Sequence, residues 1–302
     1  MTERAHTQTD RHSTTGQAKP PPLLRLAGVC GWPIYHSLSP IIHNHWIKAL
    51  GLRGHYVHFA VRPDEAVRAF KSLKKTSISG VNVTLPLKSY AYAAADIWSP
   101  EAKKLGVANC LYKSDAGLVA HNTDMEGFLV PLIAQIGIHN LTGVSAIIYG
   151  AGGAARAVIG ALLSIGVPEI RLCARNEEAV ENIINEINVP NLYGLSWRDR
   201  HTALSHAGLI VNASAGGMAG KDALDIDLSY VRSAGSFVYD LVYTPLKTPL
   251  LIQAEKIGLR SLGGLDMLIA QARPSFKLFY GEAPPKDTGL YSLLVKTLEQ
   301  NP

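Results

Sequence analysis

The chain has 302 residues, 47% of them apolar, which is ample for two packed cores; no run of about 18 apolar residues is present, so no membrane-spanning helix is expected. The net charge of +5 favours anionic partners such as phosphates and carboxylates, but the basic residues stand as singles and pairs, such as Lys74-Lys75 and Lys103-Lys104, which argues against a nucleic-acid-tracking stripe. The three cysteines, Cys30, Cys110 and Cys173, form no C-x-x-C pair and no disulfide framework, so a reducing cytoplasm is the expected compartment.

Residues 1–22 are polar, end in three prolines and lack an apolar signal core, and they read as a disordered tail. A strand is predicted over Leu23–Cys30, broken by Gly31-Trp32-Pro33, and a helix over Ile41–Leu50. Between them, Ser37 and Ser39 place two hydroxyls just before a helix start, where backbone N–H donors are free. That arrangement suits a carboxylate, and it equally suits plain helix capping. Tyr56–Val61 reads as a second strand and Asp64–Lys75 as a helix.

Residues Ile78 to Lys88 read as strand, turn and helix start, with Pro86 at the first helical position and Lys88 in the first turn. The helix dipole disfavours a lysine there, so Lys88 is either a surface residue or has another use. Val107–Tyr112 and Leu118–Ala120 form a predicted hairpin around Ser114-Asp115-Ala116-Gly117. It leads to Asn122-Thr123-Asp124, which is ordinary capping chemistry before a helix, and Asp124 is open to a functional role as well.

The apolar run from Val144 stops abruptly at glycine, as a buried parallel strand does, and Gly150, Gly152 and Ala155 fit G-x-G-x-x-A. In such a loop the first glycine permits the tight turn, the second lets a pyrophosphate approach the backbone, and the helix N-terminus faces the phosphates. A strand–helix turn that binds nothing is the plainer alternative. The next strand, Glu169–Cys173, ends about 20 residues beyond the glycines, where a ribose-reading residue normally sits. Its tip, Cys173-Ala174-Arg175-Asn176, carries no carboxylate, and Arg175 offers a planar cation suited to a 2′-phosphate, which favours NADP over NAD.

Further strands are predicted over Gly208–Ala213 and Ser236–Val242, ending at Ser214-Ala215-Gly216-Gly217 and Tyr243-Thr244-Pro245. Ligands bind at such strand ends in open α/β sheets. A helix opens at Gly263-Gly264 and runs to about Tyr280, and Ser292–Glu299 forms a last amphipathic helix. The histidine pairs His43/His45 and His55/His58 lack a companion carboxylate or cysteine at ligand spacing, so no metal is expected.

Taken together, these segments resemble the shikimate dehydrogenase family from Leu23 onward. Gly31 to Pro40 is similar to its G-x-P-I-x-H-S-x-S-P segment, Asn82 to Lys88 to N-V-T-x-P-x-K, and Asn122-Thr123-Asp124 to N-T-D. Gly150 to Ala154 matches G-A-G-G-A, and Tyr239-Asp240 and Met267 through Gln271 match C-terminal signatures. The resemblance implies an α/β fold: an N-terminal α/β substrate domain, a Rossmann dinucleotide-binding domain, and C-terminal helices returning to the substrate domain. On this sequence the divisions fall at 23–123 with 264–302, and at 124–263.

The implied reaction is the reversible, NADPH-dependent reduction of 3-dehydroshikimate to shikimate, on the route to chorismate and the aromatic amino acids. Lys88 and Asp124 would be the catalytic pair, and Ser37 and Ser39 would hold the substrate carboxylate. Thr84, Asn109, Tyr243 and Gln271 would contact the ring or its hydroxyls. NADP would be held by Gly150, Ala151, Gly152, Gly153, Ala154, Arg175, Ser214, Leu241 and Gly264.

The sequence departs from the family at several points. A second basic residue after Arg175 is absent, with Ala179 nearby, and the N-A-T-S segment reads Asn212-Ala213-Ser214-Ala215. Asp266 replaces the usual glycine before Met267, which puts a carboxylate near the expected nicotinamide end. A quinate or quinate/shikimate dehydrogenase preferring NAD, and a non-catalytic NADP-responsive regulatory protein, are the competing readings. The retained serines and the acid-free strand tip weigh against the first, and the intact Lys88 and Asp124 against the second. No interface stripe stands out from the core helix faces, which leaves a monomer and a homodimer open.

Overall fold

The computed structural model describes residues 24–286 and 289–300, and the tail expectation for residues 1–22 lies outside them. In the first half, β1 (Arg25–Gly31), α1 (Ser39–Ala49), β2 (Gly54–Ala60), α2 (Ala66–Ser72), β3 (Ile78–Val83) and α3 (Lys88–Ala94) are followed by β4 (Ile97–Trp98), α4 (Pro100–Leu105), β5 (Cys110–Ser114) and β6 (Gly117–His121). The strands form one six-stranded sheet in the order β2-β1-β3-β5-β6-β4. Its β1, β2 and β3 run parallel, and the β5–β6 hairpin joins antiparallel to β3.

The second half contains α5 (Asp124–Ile136), α6 (Ile138–Leu141), β7 (Ser145–Tyr149), α7 (Gly153–Ser164), β8 (Glu169–Cys173), α8 (Glu177–Ile187) and β9 (Leu192–Leu195). It continues through β10 (Leu209–Asn212), β11 (Phe237–Asp240), α9 (Pro249–Lys256), β12 (Arg260–Leu262), α10 (Gly264–Tyr280) and α11 (Leu290–Gln300). Its strands form a second six-stranded sheet, β12-β11-β10-β7-β8-β9, parallel throughout. This is the doubly wound order, in which ligands bind beyond the carboxyl ends of the strands where the order reverses, here between β7 and β10.

The sequence of β7 shows why this sheet is covered on both faces. Successive side chains on a strand point to opposite sides. Ala146 and Ile148 join the apolar cluster with α5, α7 and α8, while Ile147 and Tyr149 join the opposite cluster with α9. In the first sheet, α1, α10 and α11 cover one face, and α2, α3 and α4 the other. Helix α10 serves both cores: Met267 packs with the second sheet, and Ala272, Phe276, Phe279 and Tyr280 pack with the first. Burying Phe276 and Phe279 contributes roughly 1.5–3 kcal/mol each.

Several sequence expectations shift. The helix expected to start at Pro86 starts at Lys88, because a turn closes first, with Leu87 N–H donating to Thr84 O at 2.9 Å. The helix expected over Asp64–Lys75 is a two-turn α2 between short 3₁₀ turns. The short edge strands β4, β9 and β12, and the helices α4, α8 and α9, carry no signal recognised in the sequence.

Candidate active site

The end of β3 delivers the first half of the site. Thr84 N–H donates to Cys30 O at 2.9 Å, and the turn that follows places Lys88 as the first residue of α3. Ala108 N–H donates to Lys88 O at 3.1 Å, which ties the start of α3 to the segment that enters β5. Across the cavity, Asp124 is the first residue of α5, and its N–H donates to Asn122 Oδ1 at 3.0 Å.

Lys88 Nζ donates to Asp124 Oδ2 at 2.5 Å, with the two side chains 13% and 7% exposed. The other carboxylate oxygen, Asp124 Oδ1, accepts from Asn109 Nδ2 at 2.8 Å. Asn109 also donates to Thr123 Oγ1 at 2.9 Å, and its own oxygen accepts from Thr123 N–H at 2.8 Å. Both Asn109 and Asp124 are therefore fixed by partners in a buried setting, where such bonds are stronger than in water.

A cavity of about 190 Å³ opens around this pair. Ser37, Ser39, Thr84 and Asn109 line it, joined by Tyr243 from the segment after β11 and Gln271 from α10. Ser39 is the first residue of α1, after Leu38 at the cap; Ser37 Oγ accepts from Ser39 N–H at 3.3 Å and donates to Ser39 Oγ at 3.2 Å. The two hydroxyls thus meet at a helix N-terminus and face the cavity. Gln271 Nε2 donates to Leu268 O at 3.1 Å, which aims Gln271 Oε1 toward Thr123 Oγ1 at 3.3 Å.

The glycine turn lies against the same cavity. A methyl group on Gly153 would sit 3.0 Å from the Lys88 Cδ, and Ala154, Leu241 and Gly264 line the wall. Gly150 has φ of +120°, and a methyl there would strike Ala213 O at 2.7 Å, so the turn is open to glycine and little else. A methyl on Gly152 would meet nothing within 4 Å, which leaves the backbone at the N-terminus of α7 approachable. The chain from Gly150 through Ala151 to Ala154 therefore suits a pyrophosphate, and the residues present fit a dinucleotide. Arg175 lies exposed beyond the tip of β8.

Ser214 uses its hydroxyl inside its own turn, donating to Asn212 Oδ1 at 2.7 Å and accepting from Gly216 N–H at 3.0 Å. Asp266 is not among the cavity-lining residues; α10 presents Gly264, Met267, Leu268 and Gln271 there, at helical spacing. The position of Asp266 two residues after Gly264 puts it on another side, where burial raises its carboxyl and its charge acts on Tyr239 and Tyr291. Among the described residues no group of three or more potential metal ligands gathers, and no helix is long and apolar enough to cross a membrane.

Sequence reasoning passed over Asn82 and His36, which also line the cavity. Asn82 is buried in β3, where Tyr56 OH donates to its Oδ1 at 2.7 Å and its Nδ2 donates to Asn109 O at 3.3 Å. The available signal was an amide residue between two valines in a strand.

Residues 29–111 match the family model described as the shikimate dehydrogenase substrate binding domain. The shikimate dehydrogenase (NADP(+)) of Maricaulis maris (strain MCS10) is 39% identical over 274 residues, covering 90% of this chain and 96% of that one. The chain belongs to the shikimate dehydrogenase family. The structure of shikimate 5-dehydrogenase from Thermus thermophilus in complex with NADP(H) and shikimate is 32% identical, covers 91% of this chain and 100% of that one, and superposes with a TM-score of 0.77. A quinate dehydrogenase from Corynebacterium glutamicum in complex with NAD is 26% identical over 89% of this chain and 98% of that one, with a TM-score of 0.79. The family's two-sheet architecture is thus the one described above.

Proposed function

We propose that this crevice interconverts 3-dehydroshikimate and shikimate with NADP(H), and that Lys88 and Asp124 flank the reacting carbon. The observation that carries the reading is the Lys88–Asp124 pair, 2.5 Å apart at the wall of a 190 Å³ cavity, with the glycine turn of α7 against the lysine. Residues 23–123 with 264–302 form the substrate domain in this reading, and residues 124–263 the cofactor domain.

NADPH, when bound, supplies the hydride. The carbonyl oxygen that receives charge needs a cation or proton donor beside it, and Lys88 Nζ provides either. Asp124 keeps that ammonium in place and accepts from a substrate hydroxyl, while Asn109 and Thr123 hold the carboxylate at a fixed angle. Ser37 and Ser39, at the N-terminus of α1, take the substrate carboxylate. Thr84, Asn109, Tyr243 and Gln271 meet the ring hydroxyls. Gly150, Ala151, Gly152, Gly153 and Ala154 would hold the pyrophosphate of NADP, and Leu241 and Gly264 would contact the same cofactor. Ser214 shapes its own turn, which would border the cofactor, and Arg175 would meet the 2′-phosphate.

One chain supplies every group of the cavity, so the reading holds for a monomer or a homodimer. Free, buried Cys30, Cys110 and Cys173 suit the reducing cytoplasm as the working compartment. The test is a set of initial rates for shikimate and quinate, each with NADP and NAD. Shikimate with NADP should give the highest kcat/KM. A higher value for quinate with NAD would replace the reading with quinate dehydrogenase, and no turnover in any combination would leave a binding protein.

A further inference from the structure

At the end of β11 lies a carboxylate that the chemistry above does not use. Asp240 is fully buried, and its partners are all neutral donors: Asn212 Nδ2 at 2.8 Å and Val242 N–H at 3.0 Å to Oδ1, and Thr248 Oγ1 at 2.5 Å to Oδ2. Each partner belongs to a segment that shapes the crevice. Asn212 ends β10 and, through its own oxygen, accepts from Ser214 N–H at 3.0 Å and Ser214 Oγ at 2.7 Å, while its Nδ2 also donates to Gly216 O at 2.9 Å. Val242 lies between Leu241 and Tyr243, both on the cavity wall, and its carbonyl accepts from Gly264 N–H at 3.2 Å. Thr248 caps α9, accepting from Leu251 N–H at 3.3 Å.

We propose that Asp240 is a positioning residue, a buried anion that fixes the Ser214 turn and the Leu241–Tyr243 wall without touching either ligand. The inference rests on the reading of the crevice given above. Its physical basis is that bonds to an ionised acceptor are roughly twice as strong as neutral ones, so one carboxylate holds three segments together more firmly than an amide would. The charged side chains on the surrounding elements act elsewhere. Lys247 and Glu255 pair with each other at 2.9 Å on the surface, Arg260 lies over the Phe237 ring, Lys256 is exposed, and Asp266 acts on Tyr239 and Tyr291. Burial therefore dominates, and it pushes the Asp240 carboxyl up to about 6 against the lowering effect of its three hydrogen bonds.

The test is Asp240→Asn, assayed for shikimate oxidation with NADP across pH beside the wild type. Burial makes the charge costly to the folded state, so replacing it by a neutral amide should leave a variant that melts cooperatively with an undiminished Tm at neutral pH. Its kcat/KM should nevertheless fall by roughly 10- to 100-fold, the scale of a small misplacement of groups around the reacting centre. The wild-type kcat/KM should decline as pH drops through about 6, and the variant should lack that limb. Thr248→Val is a second arm that keeps the carboxylate and removes one donor. Losing a bond to the charged form raises the carboxyl further, so this variant's acid limb should move to higher pH. Wild-type kcat/KM in Asp240→Asn overturns the proposal, and so does a loss matched by a fallen Tm, which assigns Asp240 to stability alone. An unmoved limb in Thr248→Val overturns it even if Asp240→Asn fails to fold. Absence of wild-type turnover would instead remove the reading of the crevice, an outcome visible in the same assay.

Discussion

Lys88 and Asp124 meet where little water reaches, and an ion pair so placed adds little to folding, because desolvating two charges offsets their attraction. In the proposed reading its value lies in chemistry. Lys88→Ala and Asp124→Asn should each lower kcat by about 10²–10⁴-fold, the usual contribution of a positioned acid–base group, with smaller changes in shikimate KM. Near-normal kcat in either variant removes that residue from the pair. Arg175 is a test of a different kind, since it stands exposed beyond the end of β8 and no second basic residue follows it at positions 176–179. A hydrogen bond to a charged group is worth about 1.5–3 kcal/mol, so one arginine can give roughly 10- to 150-fold preference for NADP. Arg175→Ala should raise KM for NADP and leave NAD kinetics nearly unchanged; equal damage to both would mean that the side chain supports the loop instead. At this scale the sequence showed chemistry-bearing residues but not their company. Read from its own neighbours Asp124 had as strong a claim to capping as to function; the family resemblance paired it with Lys88, and the fold sets the two in contact across 36 positions. Asn82 was given no role and Thr123 only a capping one, because what makes them matter, Tyr56 on one and Asn109 on the other, comes from remote segments.

Among the elements, α5 and α10 meet closely beside the site. A methyl group on Gly127 would lie 2.5 Å from Gln271 Cβ and 3.0 Å from its backbone, so the two helices touch with no side chain between them. Asp124 begins one of these helices and Gln271 belongs to the other, and the contact sets their separation. Gly127→Ala should force the helices apart, at a cost of about 1–3 kcal/mol seen as a Tm lower by several degrees. The kcat/KM for shikimate should fall with it, by roughly tenfold or more. A variant with unchanged Tm and rates would show that the helices separate freely. Element by element, the central strands of the second sheet were the legible ones: β7 announces itself by a branched apolar run that stops at glycine, and β8 by its distance beyond that glycine turn. The four residues of β9 and three of β12 did not, since short edge strands with exposed side chains owe their conformation to the neighbour they pair with.

Across the whole molecule, the order of the chain and the order of its packing disagree. The first sheet is complete by His121, yet one of its faces is covered by α10 and α11, which follow every strand of the second sheet. A chain ending at residue 263 should therefore leave Ile42, Trp46 and Tyr56 bare of Phe276, Phe279 and Leu294, and should bind a hydrophobic dye strongly and precipitate. A monomeric, dye-silent product would show that the first sheet needs no such cover. The same arrangement bears on how the protein is made. A ribosome releases the first sheet early and its lid last, so a greasy surface waits, through the synthesis of an entire second sheet, for helices not yet translated. During that interval the nascent chain is a natural client for chaperones, and pauses in translation between the two halves would lengthen its exposure rather than help it fold.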